Sequence, residues 1–411
     1  MGGPAVSLAS VSAYLDHAAT TPMRPEAVDA MLPFLDVRFA NPSGAHRMAR
    51  DARRAIDDAR DEVAELVGAH PREVVFTSGG TESDNLAVFG AARAGAPAIT
   101  VAGGTVVCSA VEHHAVLDPV ESLGGCTVAV DASGRVDLDD LAAVLEQEAA
   151  REAAGEGPGV RIVSVMAANN EVGTIQPLVE VADAVRRLAP HAVLHTDAVQ
   201  AFCWTDVAAL TAVADLVSLS AHKFGGPKGV GVLVAKGDIT VAPRQLGGGQ
   251  ERGLRSGTQN VAGIVAAATA ARLTAEARPV EVERVAKLRD RLLDGLLASV
   301  PGLVETGAVD GAAGPDRRHR VAGTAHVCIE GVESEALLYL LERSEVYASA
   351  ASSCSSGAME TSHVLAAMGV APDLRGGSLR LSLGWSTTDA EIDHALAVLP
   401  AAVEHLRAGG L

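Results

Sequence analysis

Between residues 49 and 234, short apolar runs alternate with longer segments of helical spacing, and polar residues fall at the ends of the runs. The runs lie at 73–77, 105–109, 126–130, 161–167, 192–195, 215–220 and 229–234, while helical spacing is read over 49–67, 86–92, 138–150 and 179–188. Runs of this length bounded by turn residues read as buried strands. Strands that alternate with helices form an α/β domain with a largely parallel sheet, whose ligands sit beyond the carboxyl ends of the strands. Thr81, His113, Asn170, Asp197, Gln200, His222 and Lys223 all fall at that edge.

The rest of the chain is consistent with this. Its 411 residues allow two or three domains, and 48% hydrophobic against 20% charged content describes an ordinary globular protein. A net charge of −18, from 33 basic and 51 acidic side chains, argues against direct nucleic-acid binding, which draws on a basic face. Cys108, Cys126, Cys203, Cys328 and Cys354 form no C-x-x-C pair and are odd in number, so neither a zinc site nor a disulfide framework is indicated. The chain reads as cytosolic and reduced, with no signal peptide over 1–12. The longest apolar stretch, 261–271, is too short to span a membrane and reads as a packed helix. Near the N-terminus Pro22 and Pro25 precede helical spacing at Val28, Met31, Leu32 and Leu35. A separate charged helix starts near Val280, followed by strands at 325–329 and 378–383 and helices at 334–342 and 391–406.

Four segments carry the chemistry. The run 215–220 delivers Ser220, His222 and Lys223 to a Gly/Pro turn; a lysine there on its own is an ordinary surface charge. The segment 78–85, read SGGTESDN, opens a helix with small residues, and free N–H groups at such a start suit a phosphate. Glu112-His113-His114 and Thr196-Asp197 follow other runs. Together they supply an amine for a Schiff base, an acid for a ring nitrogen, a planar group to stack on the ring and a phosphate seat, which are the parts of a pyridoxal 5'-phosphate site.

The segments LDHAATTP, NPSGAH, TSGGTESDN, EHHAVLDP, NNEVGTIQP, TDAVQ, SAHKFGGPKGVG, GGGQERGLRSGT and RLSLG stand in this order from residue 15 to 384. In them the chain resembles cysteine desulfurases of the iron–sulfur cluster and nitrogenase-maturation type, in the class V branch of fold-type I pyridoxal phosphate enzymes. The resemblance implies a large cofactor-binding domain over 14–265, with a mainly parallel seven-stranded sheet, and a smaller α+β domain over 266–411 that carries the catalytic-cysteine loop. Residues 1–13 would be a tail, with the N-terminal segment packing on the small domain.

By the same resemblance Lys223 binds the cofactor covalently and moves the substrate's proton, and Asp197 pairs with the pyridine N–H. His113 stacks on the ring and shuttles a proton, while Asn170 and Gln200 address its hydroxyl side, Asn170 also facing the substrate. Gly80, Thr81, Ser220 and His222 hold the phosphate, joined in a homodimer by Thr258 of the other subunit. Arg380 clamps the substrate carboxylate, a task suited to a planar fork. Cys354, in the small-residue run SAASSCSSG, is the nucleophile that takes sulfur from L-cysteine as a persulfide and passes it to an acceptor protein, such as an iron–sulfur scaffold or a thiolation enzyme. Ser352 and Ser353 stand where the family usually has glycine and alanine, which bears on loop stiffness and partner contacts. The other four cysteines read as small core residues. A selenocysteine lyase, a C–S lyase or an aminotransferase on the same fold would share Lys223, Asp197 and Arg380 and have no need of Cys354. A non-catalytic sulfur-carrier scaffold would have lost one of these groups, and all are present.

Overall fold

The run at 215–220 becomes the strand Leu216–Ser220, every residue of it buried. The computed structural model describes residues 12–94, 104–237, 239–307, 309–311, 314–350 and 362–409. Among them, seven strands form the main sheet in the order Val74–Thr77, Gly231–Ala235, Leu216–Ser220, Val193–Asp197, Val160–Ser164, Thr105–Ser109, Cys126–Val128. Only Gly231–Ala235 runs against its neighbours, pairing antiparallel on both sides. The remaining pairs are parallel. Helices bury the sheet on both faces, so its strands are buried almost throughout rather than on alternate residues.

Two expected strands end early, at Val128 and Ser164 rather than at 130 and 167. Beyond Ser164 the chain stays buried but leaves the regular ladder to form the loop that carries Asn169 and Asn170. The helix expected over 86–92 starts earlier, as Gly80–Arg93, because the polar residues Thr81 to Asn85 are its first turns. Ser83 and Asp84 are buried there, which an apolar spacing does not reveal. A short helix, Val207–Val213, has no counterpart in the sequence reading.

The two helices expected at 261–271 and from Val280 are one, Val261–Ser299, with Pro279 inside it. An interior proline costs about 3 kcal/mol. Pro279 is exposed, so carbonyls it leaves unbonded can face water. The same helix buries Leu288, Leu292, Leu293 and Leu296. At about 1.5–3 kcal/mol each, that burial exceeds the proline cost. The N-terminal half packs in the apolar cluster around the main sheet and the C-terminal half in a second cluster. That second cluster surrounds an antiparallel sheet, Ser378–Ser382, Thr324–Ile329, Leu303–Glu305, flanked by the helices Ser334–Arg343 and Asp389–Arg407. The N-terminal strand Ala13–Tyr14 joins it by pairing with Val346–Tyr347.

Near the N-terminus the helix Pro25–Met31 forms and continues as a 3-10 turn, Leu32–Phe34. Its buried residues are Ala27 and Phe34, whereas Val28, Leu32 and Leu35 are 38, 54 and 58% exposed. Met31 of the same spacing packs against the core, whereas the described residues leave Val28, Leu32 and Leu35 largely uncovered.

Candidate active site

Lys223 ends a 3-10 turn, Ala221–Lys223, that directly follows the buried strand Leu216–Ser220. The turn closes on Ala221, whose carbonyl accepts from Phe224 N at 3.1 Å and Gly226 N at 2.9 Å. A Cβ on Gly226 would meet Ala221 Cβ at 2.9 Å, so the close approach requires glycine. The lysine is thereby aimed across the sheet edge, where Nζ donates to the carbonyls of Ala18 and, at 3.1 Å, Ala19. Gln200 Nε2 donates to the same Ala18 carbonyl at 2.8 Å.

The start of the helix Gly80–Arg93 faces Lys223 across the cavity. A Cβ at Gly80 would lie 2.8 Å from Val199 Cγ2, so glycine lets the helix start approach the strand end. Its first-turn N–H groups have no intrahelical acceptors and carry a partial positive charge. Ser220 and His222 border the same place. Burial, then the charges on Lys223 and Lys228, push His222 down to about 4, so it is a neutral hydrogen-bonding group there.

Asp197 ends the strand Val193–Asp197, 5% exposed, with Val199 N donating to Oδ1 at 2.8 Å. Burial raises its carboxyl above the ordinary range, opposed by that N–H and by Lys223. Two further buried acids, Asp84 and Glu112, lie close enough to feel its charge, and each has one carboxyl oxygen with no hydrogen-bond partner among the described residues, Asp84 Oδ1 lying 3.6 Å from His195 Nε2. Burial and the like charge of Asp197 push both upward, so protonated carboxyls are favoured at these two positions. Beneath Asp84 the fully buried His195 is hydrogen-bonded to Ser164 Oγ at 2.8 Å and Ser218 Oγ at 3.0 Å. His113 caps the helix His114–Ser122, its Nδ1 accepting from Ala115 N at 3.0 Å. Burial, then Lys223, hold it down at about 4, leaving a neutral ring able to accept a proton.

Arg380, in the strand Ser378–Ser382, donates from Nη1 to Asn170 O and from Nη2 to Asp16 Oδ1, each at 2.9 Å. Its backbone pairs with Ser349 in both directions, at 2.8 and 3.2 Å. One cavity of about 330 Å³ therefore brings together Lys223, Asp197, His113, Asn170, Gln200, Gly80, Thr81, Ser220, His222 and Arg380. Thr258 is exposed and does not line it. Cys354 lies outside the described residues. Of the other cysteines, Cys108 and Cys328 are buried, whereas Cys126 and Cys203 are only partly so. The sequence reading missed Asp16 and gave Asp84 no role; both sit inside motifs it quoted, and nothing local marks them as facing the cavity.

These residues fit pyridoxal phosphate. A buried, raised carboxyl at Asp197 is suited to a cationic partner, and a protonated ring nitrogen is one. The helix start and Ser220 suit the phosphate, and the Lys223 amine suits the aldehyde. Among the described residues no group of three or more metal-capable side chains is found, and no helix is long and apolar enough to cross a membrane.

The family model for class-V aminotransferases matches residues 13–395. An IscS-like cysteine desulfurase of Mycobacterium tuberculosis is 42% identical over 408 residues, covering 97% of this chain and 98% of that protein. The solved structure of a NifS-like protein superposes with a TM-score of 0.84 at 33% identity, over 96% of this chain and 99% of its own. SspA, solved in complex with cysteine, aligns with a TM-score of 0.73 at 29% identity, over 90% of this chain and 99% of its own. The chain belongs to the class-V aminotransferase family of pyridoxal phosphate enzymes, within its cysteine desulfurases.

Proposed function

We propose that this enzyme takes the sulfur of L-cysteine, releases alanine and carries the sulfur as a persulfide on Cys354 to an acceptor protein. The observation that supports it most is the convergence of Lys223, Asp197, His113 and Arg380 on one cavity beside a helix start. The solved relative that holds cysteine favours the same substrate. Bound there, pyridoxal phosphate withdraws electrons from the amino-acid carbon. Arg380 grips the substrate carboxylate, and Asp197 holds a proton at the ring nitrogen. Lys223 Nζ removes and returns the carbon-bound proton, and neutral His113 is placed to accept one. The Cys354 thiolate attacks the substrate sulfur, so that an S–S bond forms as the C–S bond breaks. The carbon keeps the electron pair and takes a proton to become the methyl of alanine. Only the thiolate is nucleophilic, so Cys354 must lose its proton first.

The enzyme acts as a homodimer in a reducing cytoplasm, with Thr258 of each subunit reaching the phosphate of the other. Support comes from the exposed position of Thr258 and from the uncovered apolar residues between Val28 and Phe39. A single-turnover assay with L-cysteine tests the reaction. The parent should release alanine and hold a reducible persulfide, while Cys354→Ala should keep the cofactor and lose the persulfide. Equal alanine release from both would favour a lyase or aminotransferase on this fold.

A further inference from the structure

The stretch from Asp16 to Ala19 holds two groups of the cavity at once. Its carbonyls at Ala18 and Ala19 accept from Lys223 Nζ, and Asp16 Oδ1 accepts from Arg380 Nη2 at 2.9 Å. The stretch is fixed against the strand that carries Arg380. His17 N donates to Ser382 O at 3.1 Å, Ser382 N donates to Leu15 O at 2.7 Å, and Ala19 N closes a turn on Asp16 O at 3.1 Å. The Asp16 carboxylate is therefore held beside the guanidinium by backbone pairing on both sides of it.

A guanidinium has five N–H donors in a rigid plane, and it grips a carboxylate best with two parallel N–H groups of one edge. Arg380 gives Nη1 to the Asn170 carbonyl and Nη2 to Asp16, while Nε is buried with no hydrogen-bond partner among the described residues. Both Asp16 and Arg380 line the cavity. A substrate carboxylate that reaches this guanidinium meets a carboxylate already bonded to it. The pair is neutral before it arrives and carries a net negative charge afterwards. Repulsion between two carboxylates on one cation opposes binding unless one of them gives way.

We propose that Asp16 is a resident competitor for Arg380, which sets how tightly the site holds the carboxylate of its amino-acid substrate and product. This rests on the reading of Arg380 as the carboxylate clamp. Asp16 is then an affinity-setting and positioning residue. It keeps the guanidinium aimed, weakens every carboxylate ligand whatever its side chain, and speeds the departure of alanine.

The test is calorimetric binding of 3-mercaptopropionate to the cofactor-loaded enzyme. This ligand has the carboxylate and thiol of cysteine but no amine, so it cannot form a Schiff base with the cofactor and offers Asp16 no ammonium to attract. Asp16→Asn keeps an oxygen acceptor for Nη2 and removes the charge, and is expected to bind roughly tenfold more tightly than the parent. Asp16→Ser, also neutral, is the second variant and should shift the same way. The KM for L-cysteine should fall in both. If Arg380→Ala loses binding while the neutral variants bind no better than the parent, Asp16 is no competitor and the clamp stands. Binding that is indifferent to Arg380→Ala overturns both readings.

Discussion

At the scale of single residues, the charge state of the site follows from burial. Asp197, Asp84 and Glu112 are all buried carboxyls, and only Asp197 feels the Lys223 cation among its lowering influences. It is accordingly the acid that should ionise first. Asp197→Asn keeps the size and the oxygen that accepts from Val199 N, but removes the charge. Alanine formation is expected to fall about a hundredfold or more, the scale of losing one preorganised electrostatic partner. Cofactor content, read by absorbance, should be largely retained. Loss of the cofactor would instead make Asp197 an anchor, and an unchanged rate would remove it from the reaction. His113, held at about 4, should contribute no titration near neutral pH.

At the scale of elements, the helix His363–Ala367 is tied back to the site from its first residue. Ser362 caps it, accepting from Leu365 N at 3.1 Å, and donates to Glu171 Oε2 at 2.5 Å. His363 Nε2 adds a hydrogen bond to Glu112 O at 2.9 Å. Burial pushes the Glu171 carboxyl from 4.5 up to about 7, against the Ser362 bond and the charge on Arg380. A carboxyl raised in the folded state contributes stability that is complete below its unfolded value and is lost as the pH rises through the folded one. The Glu171 contribution to stability should therefore be lost between about pH 5 and pH 8. Glu171→Gln should flatten that loss, by roughly 3 kcal/mol at the upper end. Melting curves across this range check it; parallel curves for the two proteins would show that Glu171 is not raised.

At the scale of the whole molecule, one surface asks for a cover. Leu35, Val37 and Phe39 are 58, 71 and 68% exposed and follow the exposed Val28 and Leu32 in the chain. Exposed apolar residues grouped in this way are suited to an association surface. A second copy of the chain is the partner that would also bring Thr258 to a phosphate. Phe39→Asp is expected to shift the protein toward monomer in sedimentation velocity and to weaken cofactor retention. A dimer that survives this change unaltered would place the interface elsewhere.

The sequence by itself determined the alternation of buried strands with helices, and with it the edge on which Lys223, Asp197, His113 and Asn170 stand. Both are local properties, since a strand covered on both faces reads as a mainly apolar run and turn-bounded polar residues follow at its end. Tertiary structure decided what each side chain meets there. Asp16 and Arg380 pair across 364 residues of chain, and no spacing encodes that contact. Packing on two apolar clusters carries the helix Val261–Ser299 through Pro279, where local propensity argues for a break. Burial of Asp84 within helical turns that look solvated, and exposure of Val28 and Leu32 on a face that looks internal, have the same origin. Periodicity states which residues share a face, and only the fold states what covers it.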